Sequence, residues 1–418
     1  MRTHSVDVIV LDGNQRPALA ITRLLGRKGI KVAVGEEVLS SLSSCSRYCS
    51  YRFSYPSPYV NPEAFIEKIQ KISARNHGAT LLPITDVTLS EVLRNKALLS
   101  NYVKIPFVDY NKYTNASDKL RLFRLALDLN IPIPKTLFYC NSKELGNLIS
   151  EAHDLGFPVV LKPATSRIRT ARRWINAQVH YANNSKELKE ILNKEPFRNH
   201  PFMIQERIEG PGVGIFLLMD EGNVLARFAH RRIREKPPSG GVSVLCESIR
   251  PPWEALDAAT RLLKELLWSG VAMVEFKWDV RDNIPMLIEV NARFWGSLQL
   301  AISAGVDFPY LLYSLSKGEK INGPKRYVCG IKSRWELGDL DHLVIRLRNS
   351  DPNLILADDA ESKRKAIRNF IIDFFRPSIQ NEVFRPDDPF PFLFEIIQYL
   401  RNIAESKLHG CFTRVYPD

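Results

Sequence analysis

The chain has 418 residues, 45% of them hydrophobic and 25% charged, which excludes disordered, fibrous and disulfide-stapled classes and leaves room for two or three globular domains. Its formal net charge of +12 is not gathered into a polybasic tail, and its densest clusters are residues 167–173 and 230–236, a pattern that argues for anionic small molecules and against nucleic acid. No run approaches the roughly 18 apolar residues of a membrane span, the start is not a signal peptide because Asp7 interrupts its apolar run, and the scattered cysteines, with only Cys45 and Cys49 close together, read as reduced thiols of a cytoplasmic protein.

Residues 6–11 (VDVIVL) form a buried-strand pattern ending at Asp12-Gly13-Asn14. Asn14 is placed to cap a helix running to Leu25, closed by Gly26 and Gly29 before a second strand at 30–34. Strand, helix and strand in that order make a βαβ unit. Its loop holds one glycine, so it is no dinucleotide fingerprint. Asn61-Pro62-Glu63 caps another helix with Phe65, Ile66, Ile69 and Ile72 on one face, and residues 79–84 follow as a strand ending at Thr85-Asp86. A parallel α/β domain is expected over 1–115. Ligands bind off the carboxyl ends of such strands, so Asp12, Asn14 and Asp86 are substrate-site candidates, with turn or cap duty as the competing role.

A second unit is expected over 116–325. It opens with an amphipathic helix at 117–129 and a junction at Pro132 and Pro134. Strand patterns at 158–162 and 174–179 lie between helix starts marked by Asn141 with Glu144 and by Asn184 with Glu187. Strands at 202–207, 213–219 and 223–229 follow, then a helix at 253–268. Residues 326–418 read as a mostly helical region with proline-rich joints and no interpretable motif.

The stretch 271–295 (VAMVEFKWDVRDNIPMLIEVNARFW) carries the most chemistry. Two short runs flank Arg281-Asp282-Asn283, which reads as a three-residue hairpin turn. That turn sets Glu275 across from Glu289 and Met273 across from Asn291. Alternation then puts Glu275, Glu289, Asn291 and Arg293 on one face, and Val274, Phe276, Trp278, Met286, Ile288 and Val290 on the other. Two carboxylates ~5 Å apart repel by about 3 kcal/mol at an effective dielectric of ~20. Either one takes up a proton or a cation sits between them. With the Asn291 carbonyl, the set is oxygen-only and suits Mg²⁺. The competing reading is a strand pair whose charges point into water.

Taken together, residues 116 to about 316 resemble the ATP-grasp superfamily, in its carboxylate–amine ligase and carbamoyl-phosphate synthase-like branch. The match rests on ordered elements: Ser-Asp-Lys119 opening a helix, an Ile-Pro-x-Pro segment, GFPVVLKP with Lys162, IQERIEG, and VEFKWD…LIEVNARFWGS. The resemblance implies an α/β protein with an α+β ATP-grasp core, a Rossmann-like domain in front of it and a mobile lid at about 134–200. It implies that Lys119 and Lys162 reach the phosphates of ATP and that Gln205, Glu206 and Ile208 form the hinge that meets adenine. Glu209 is the nearest stand-in for a ribose-binding acid. Glu275, Glu289 and Asn291 would hold Mg²⁺, with Mn²⁺ as the alternative ion, and Arg293 would stabilise charge on the transferred phosphoryl group. In the basic run 230–236, Arg231 and Arg234 come first as residues closing over phosphates or an anionic substrate, against a solvated charge run.

Two departures stand out. Residues 163–174 lack the glycines many members carry there and hold Arg167, Arg169, Arg172 and Arg173 instead, so guanidinium groups replace backbone amides or the loop is an open lid. The ribose acid is not clearly present. The activity implied is an ATP- and Mg²⁺-dependent ligase joining a small-molecule carboxylate to an amine through an acyl-phosphate. Alternatives are carbamoyl-phosphate synthase-like carboxyphosphate chemistry and a non-catalytic ATP-binding regulatory or scaffold protein. Neither nucleic acid nor membrane is an expected partner, and ligases of this kind are often homodimers, although the sequence fixes no oligomeric state.

Overall fold

The computed structural model describes residues 5–140, 147–170, 174–348 and 362–408. Asn141, Glu144, Arg172 and Arg173 lie outside the described residues. Among these residues the first sheet is four-stranded and parallel, in the order β3-β2-β1-β4, from β1 (Val8–Val10), β2 (Val32–Glu36), β3 (Cys49–Ser54) and β4 (Thr80–Leu82). The central strand β1 is buried on both faces, as a near-continuous apolar run predicts. Strand β3 escaped the sequence reading because it is an edge strand, mostly exposed, with only Phe53 fully buried. The first helix spans Arg16–Arg27 with Gln15 at its cap and Pro17 in its first turn. Asn14 therefore does not cap it. Its Oδ1 accepts from Leu42 N (3.1 Å) and its N donates to Glu36 Oε2 (2.9 Å). Asp12 has φ of 59° and accepts from Ile84 N (2.9 Å), Thr85 N (2.8 Å) and Thr88 Oγ1 (2.6 Å). It welds the end of β1 to the end of β4, which is turn duty.

The second sheet, order β5-β10-β6-β9, is built from β5 (Thr136–Tyr139), β6 (Val159–Pro163), β9 (His180–Ala182) and β10 (Phe202–Glu206), with β7 (Arg167–Arg169) and β8 (Trp174–Asn176) as a separate hairpin. It has its own core, in which Leu148, Leu161, Phe202 and Ile204 pack together. The expected 174–179 strand is cut to Trp174–Asn176, which among the described residues pairs only with β7.

The third sheet has seven strands in the order β15-β14-β11-β12-β13-β16-β17: β11 (Gly212–Asp220), β12 (Asn223–Lys236), β13 (Val242–Ser248), β14 (Gly270–Asp279), β15 (Ile284–Asn291), β16 (Lys332–Arg334) and β17 (Ile379–Asn381). Met273 faces Asn291 and Glu275 faces Glu289, as the hydrophobic pattern requires. The turn differs: Asp279 and Ile284 close a four-residue loop, and a bulge at Ile288 restores the register. Leu287 consequently joins Val274, Phe276 and Val290 on the buried face, while Met286 moves opposite Lys277, to the face of Glu275. Large buried rings, Phe216, Phe228, Phe294, Trp295 and Phe308, fill the other side. The C-terminal region holds three described helices, Glu336–Arg348, Lys363–Phe374 and Phe390–Leu408, and also gives the sheet β16 and β17. No described helix is long and apolar enough to cross a membrane.

Candidate active site

The helix expected at 117–129 spans Lys119–Asp128, and Asp118 caps it by accepting from Leu120 N (2.9 Å) and Arg121 N (3.1 Å). The backbone N of Lys119 donates to Ala164 O (2.7 Å) and its Nζ to Ser166 Oγ (3.0 Å), both just past β6. That ties the helix start to the end of the strand carrying Lys162. Lys119 Nζ lies 3.5 Å from Glu289 Oε2, and Asn291 Nδ2 donates to Glu289 Oε1 (3.1 Å). The two lysines, Glu275, Glu289 and Asn291 thus share one space.

The electrostatics follow from burial. Burial lowers the Lys162 amine to about 8, against the pull of Glu289, and Lys119 adds to the fall. For Glu289 burial favours protonation, but Lys119, Lys162 and the Asn291 amide outweigh it and hold the carboxyl below its usual range. Burial raises Glu275; Arg232 opposes the rise and Glu289 adds to it. A proton shared by the pair therefore sits on Glu275 and leaves Glu289 ionised.

Of the basic run 230–236, Arg232 reaches this space. It pairs with Glu275 and donates to Glu235 Oε1 (2.8 Å) and Gly241 O (2.9 Å). It does so across β11, where a Cβ on Gly212 would stand 3.0 Å from its Cδ. Arg231 and Arg234, the sequence-based candidates, do not reach the site. Arg231 is half exposed and pairs with Glu247 on β13, while Arg234 donates to Asp339 Oδ2 (3.0 Å) and Asp373 Oδ2 (2.9 Å) in the C-terminal region. The physical reason is strand alternation: Arg231 points away from Arg232, and a bulge after Arg232 turns Arg234 to the far face. Alternation from Glu275 also brings in Lys277, another residue the sequence reading passed over. Burial lowers its amine, with Glu235 opposing.

Arg293 forms an ion pair with Asp86 (Nε–Oδ2 3.0 Å), which Tyr113 OH approaches through Asp86 O (3.2 Å). Asp86 thereby connects the first sheet to the site. In the hinge, Gln205 Nε2 donates to Thr136 Oγ1 (2.8 Å), and its Oε1 is buried without a partner among the described residues. The Glu206 carboxylate is committed to structure: Oε1 accepts from Lys135 N (2.9 Å) and Oε2 pairs with Arg281 (3.0 Å). Ile208 is buried, and Glu209 is exposed with its carbonyl accepting from Val280 N (3.2 Å). The β7–β8 hairpin is docked on the first unit, because Arg169 pairs with Glu91 (2.9 Å) and reaches Glu63 (4.0 Å). Arg167 donates to Asn176. The Arg169 charge is thus turned to carboxylates of the first unit.

The donor set fits a hard divalent cation: two carboxylates and an amide carbonyl, all oxygen. No cluster of three His, Cys, Asp or Glu side chains that would hold a metal alone is present among the described residues. An ion here would complete its shell with phosphate oxygens and water.

The family described as ATP-grasp in the biosynthetic pathway with Ter operon matches residues 198–336. The D-aspartate ligase of Enterococcus faecium is 20% identical over 235 residues, 54% of this chain and 55% of that protein. The chain thus spans about half the length of that curated relative. Among solved structures, an L-amino acid ligase from Bacillus licheniformis matches with a TM-score of 0.56 at 19% identity, covering 74% of each chain. An N5-carboxyaminoimidazole synthetase from Staphylococcus aureus matches with a TM-score of 0.60 at 13% identity, over 83% of this chain and 86% of that one. Likeness at such identities speaks to the fold, and the family match identifies residues 198–336, which carry Arg232, Glu275, Glu289 and Asn291, as similar to the ATP-grasp superfamily.

Proposed function

We propose that the protein is an ATP-dependent carboxylate–amine ligase. A carboxylate oxygen of the acid attacks the γ-phosphorus of ATP, the bond to the ADP oxygen breaks, and an acyl-phosphate forms. The amine nitrogen then attacks the acyl carbon, phosphate leaves with its bridging oxygen, and the amine gives up a proton. The observation that carries this reading is the Glu275–Glu289 pair, facing across the ladder with Asn291 beside it and Lys119 3.5 Å from Glu289. Glu275, Glu289 and Asn291 would hold Mg²⁺ or Mn²⁺, which would neutralise phosphate charge. Lys119 and Lys162 would contact the phosphates. Arg293, steadied by Asp86, would meet charge developing on the transferred group. The backbone of Gln205 to Ile208 would meet adenine, with Glu209 near the ribose. The second sheet acts as the lid that keeps water from the acyl-phosphate.

The names of two similar proteins, a D-aspartate ligase and an L-amino acid ligase, support amide formation. Carboxyphosphate chemistry is the second reading, favoured by the likeness to a biotin carboxylase and to N5-carboxyaminoimidazole synthetases. ADP release measured over a panel of acids and amines separates them. Release that needs both an acid and an amine supports the ligase, whereas release that needs only bicarbonate supports carboxyphosphate. Glu289→Ala is expected to lower turnover on the order of a hundredfold or more. Full activity in that variant would remove the assigned ion ligands.

A further inference from the structure

Next to this site lies a cavity of about 400 Å³ between the first sheet and the C-terminal region. It opens off the carboxyl ends of β1 and β2, where open α/β sheets take ligands. The helix Phe390–Leu408 forms another wall through Glu395 and Gln398. Thr85 lines it too, next to the Asp86 that holds Arg293. On the same side, a Cβ on Gly296 would stand 3.0 Å from Arg16 Nη2. The cavity therefore abuts the end of the site at which the phosphoryl group would be transferred.

Its charge is one-sided. Asp12, Glu36, Glu37 and Glu395 line it, and Arg16 is the one basic residue among the lining residues. Arg16 is already engaged: it pairs with the buried Glu382, and its guanidinium carbon lies 4.1 Å from the Trp335 ring centre. Asp12 is used up by backbone amides and hydroxyls. Among the described residues Glu36 accepts only from Asn14 N (2.9 Å) and Glu37 N (2.8 Å), and Glu37 from Ser57 Oγ (2.7 Å). Glu395 is 3% exposed; its Oε1 accepts from Trp335 Nε1 (2.8 Å), and its Oε2 is buried with no hydrogen-bond partner. Among the described residues no lysine or arginine forms an ion pair with Glu36, Glu37 or Glu395. Burial, helped by Asp12, raises Glu36 to about 7, and burial raises Glu395 to about 7. Glu395 is buried and Glu36 partly buried, and Arg16 offsets only part of the burial cost at Glu395; a cation brought between such acids is stabilised while an anion is repelled.

We infer that this cavity is the acceptor subsite and takes an amine bearing a second positive charge, a diamine or a basic amino acid. Glu36 and Glu395 hold the distal ammonium, and the other amine is left toward the acyl-phosphate. The volume suits a ligand of that size. The inference rests on the ligase reading. Glu36 and Glu395 both lie outside residues 198–336, the stretch that the family match covers.

The test uses the full chain with ATP, Mg²⁺ and a panel of acids, reading ADP release. 1,4-Diaminobutane or L-lysine is expected to serve as acceptor with a KM at least tenfold below that of glycine or L-aspartate. Glu395→Gln and Glu36→Gln are each expected to raise that KM about tenfold or more. Gln398→Lys, which supplies a cation from the helix without removing a buried acid, should do the same. Equal use of zwitterionic or acidic amines, or an unmoved KM in all three variants, overturns the inference and leaves the ligase standing. If no amine elicits ADP release, the ligase reading fails. The cavity is then judged by calorimetric binding of 1,4-diaminobutane without ATP: saturable binding lost in Glu395→Gln supports it, and absence of binding overturns it.

Discussion

Lys162 is 8% exposed, and burial lowers its amine from an ordinary 10.5 to about 8. Between those pH values the unfolded chain holds a proton that the native chain has lost. Lys162 therefore costs stability below about pH 8, and the cost fades as the pH rises toward 10.5. Nucleotide binding has the opposite demand, since a triphosphate needs the ammonium form. ATP affinity is expected to weaken above pH 8, approaching a tenfold loss per pH unit, and Lys162→Arg should flatten the profile. Nucleotide titration from neutral to alkaline pH reads this directly, and a flat profile in the parent chain would take Lys162 out of phosphate contact. Such shifts are invisible in sequence, but the residues that cause them were partly legible. Lys162, Glu275 and Glu289 stood out because charge at the end of, or inside, an apolar strand has few structural excuses. Arg232 did not stand out among its basic neighbours. Choosing it over Arg231 and Arg234 needs the face of β12 that overlies the glycine at 212, and that depends on pairings with β11 and β13.

At the scale of elements, the hairpin of β14 and β15 shows how pattern fixes register more firmly than turn geometry does. The turn holds four residues instead of three, yet the bulge at Ile288 brings Glu275 and Glu289 face to face, because any other register would bury charge or expose Phe276 and Val274. The cost of the bulge is a local reversal of faces, which moves Met286 toward the site. Alternation alone places it wrongly. Strand β3 and the two strands β16 and β17 were illegible for a different reason: they are short or exposed, and their partners are remote. The hinge that leads into β11 depends on Gly210. Its φ is 137°, and a Cβ there would stand 1.8 Å from the backbone oxygen of Trp278. Gly210→Ala therefore meets both a backbone conformation that side chains rarely adopt and a main-chain clash. A loss of at least about 1–3 kcal/mol is expected, seen as a lowered thermal midpoint. ATP affinity should fall with it, because residues 206–209 shift with the strand start. A variant with the parent's midpoint and affinity would show that the hinge tolerates displacement and has no fixed role.

In the whole molecule, the first and third sheets share one continuous apolar core, the second sheet keeps its own, and charged contacts fasten the parts further. Asp86 reaches Arg293, Arg169 reaches Glu91, and Arg23 of the first helix is buried against Asp388 (2.8 Å). Arg234 belongs to this group. Its guanidinium lies between Asp339, on the helix Glu336–Arg348, and Asp373, on the helix Lys363–Phe374, so it fastens the C-terminal region to β12. Asp339 also accepts from Arg334 Nε (2.6 Å), which leaves it one partner if Arg234 is removed, whereas Asp373 keeps only Arg376 at 3.1 Å on the exposed side. Breaking a buried pair from one side typically costs about 3–5 kcal/mol, because the surviving charge stays behind uncompensated. Arg234→Ala is therefore expected to loosen the 363–374 helix, with hydrogen exchange there faster by roughly a hundredfold or more. Residues 119–128, which Arg234 does not touch, should exchange as in the parent. A residue that gripped phosphate would behave differently: its loss would lower turnover at unchanged protection of both helices. Exchange and turnover measured on the same variant therefore decide between an anchor for the C-terminal region and a contact to substrate, and the buried Asp339 with the partly buried Asp373 favours the anchor.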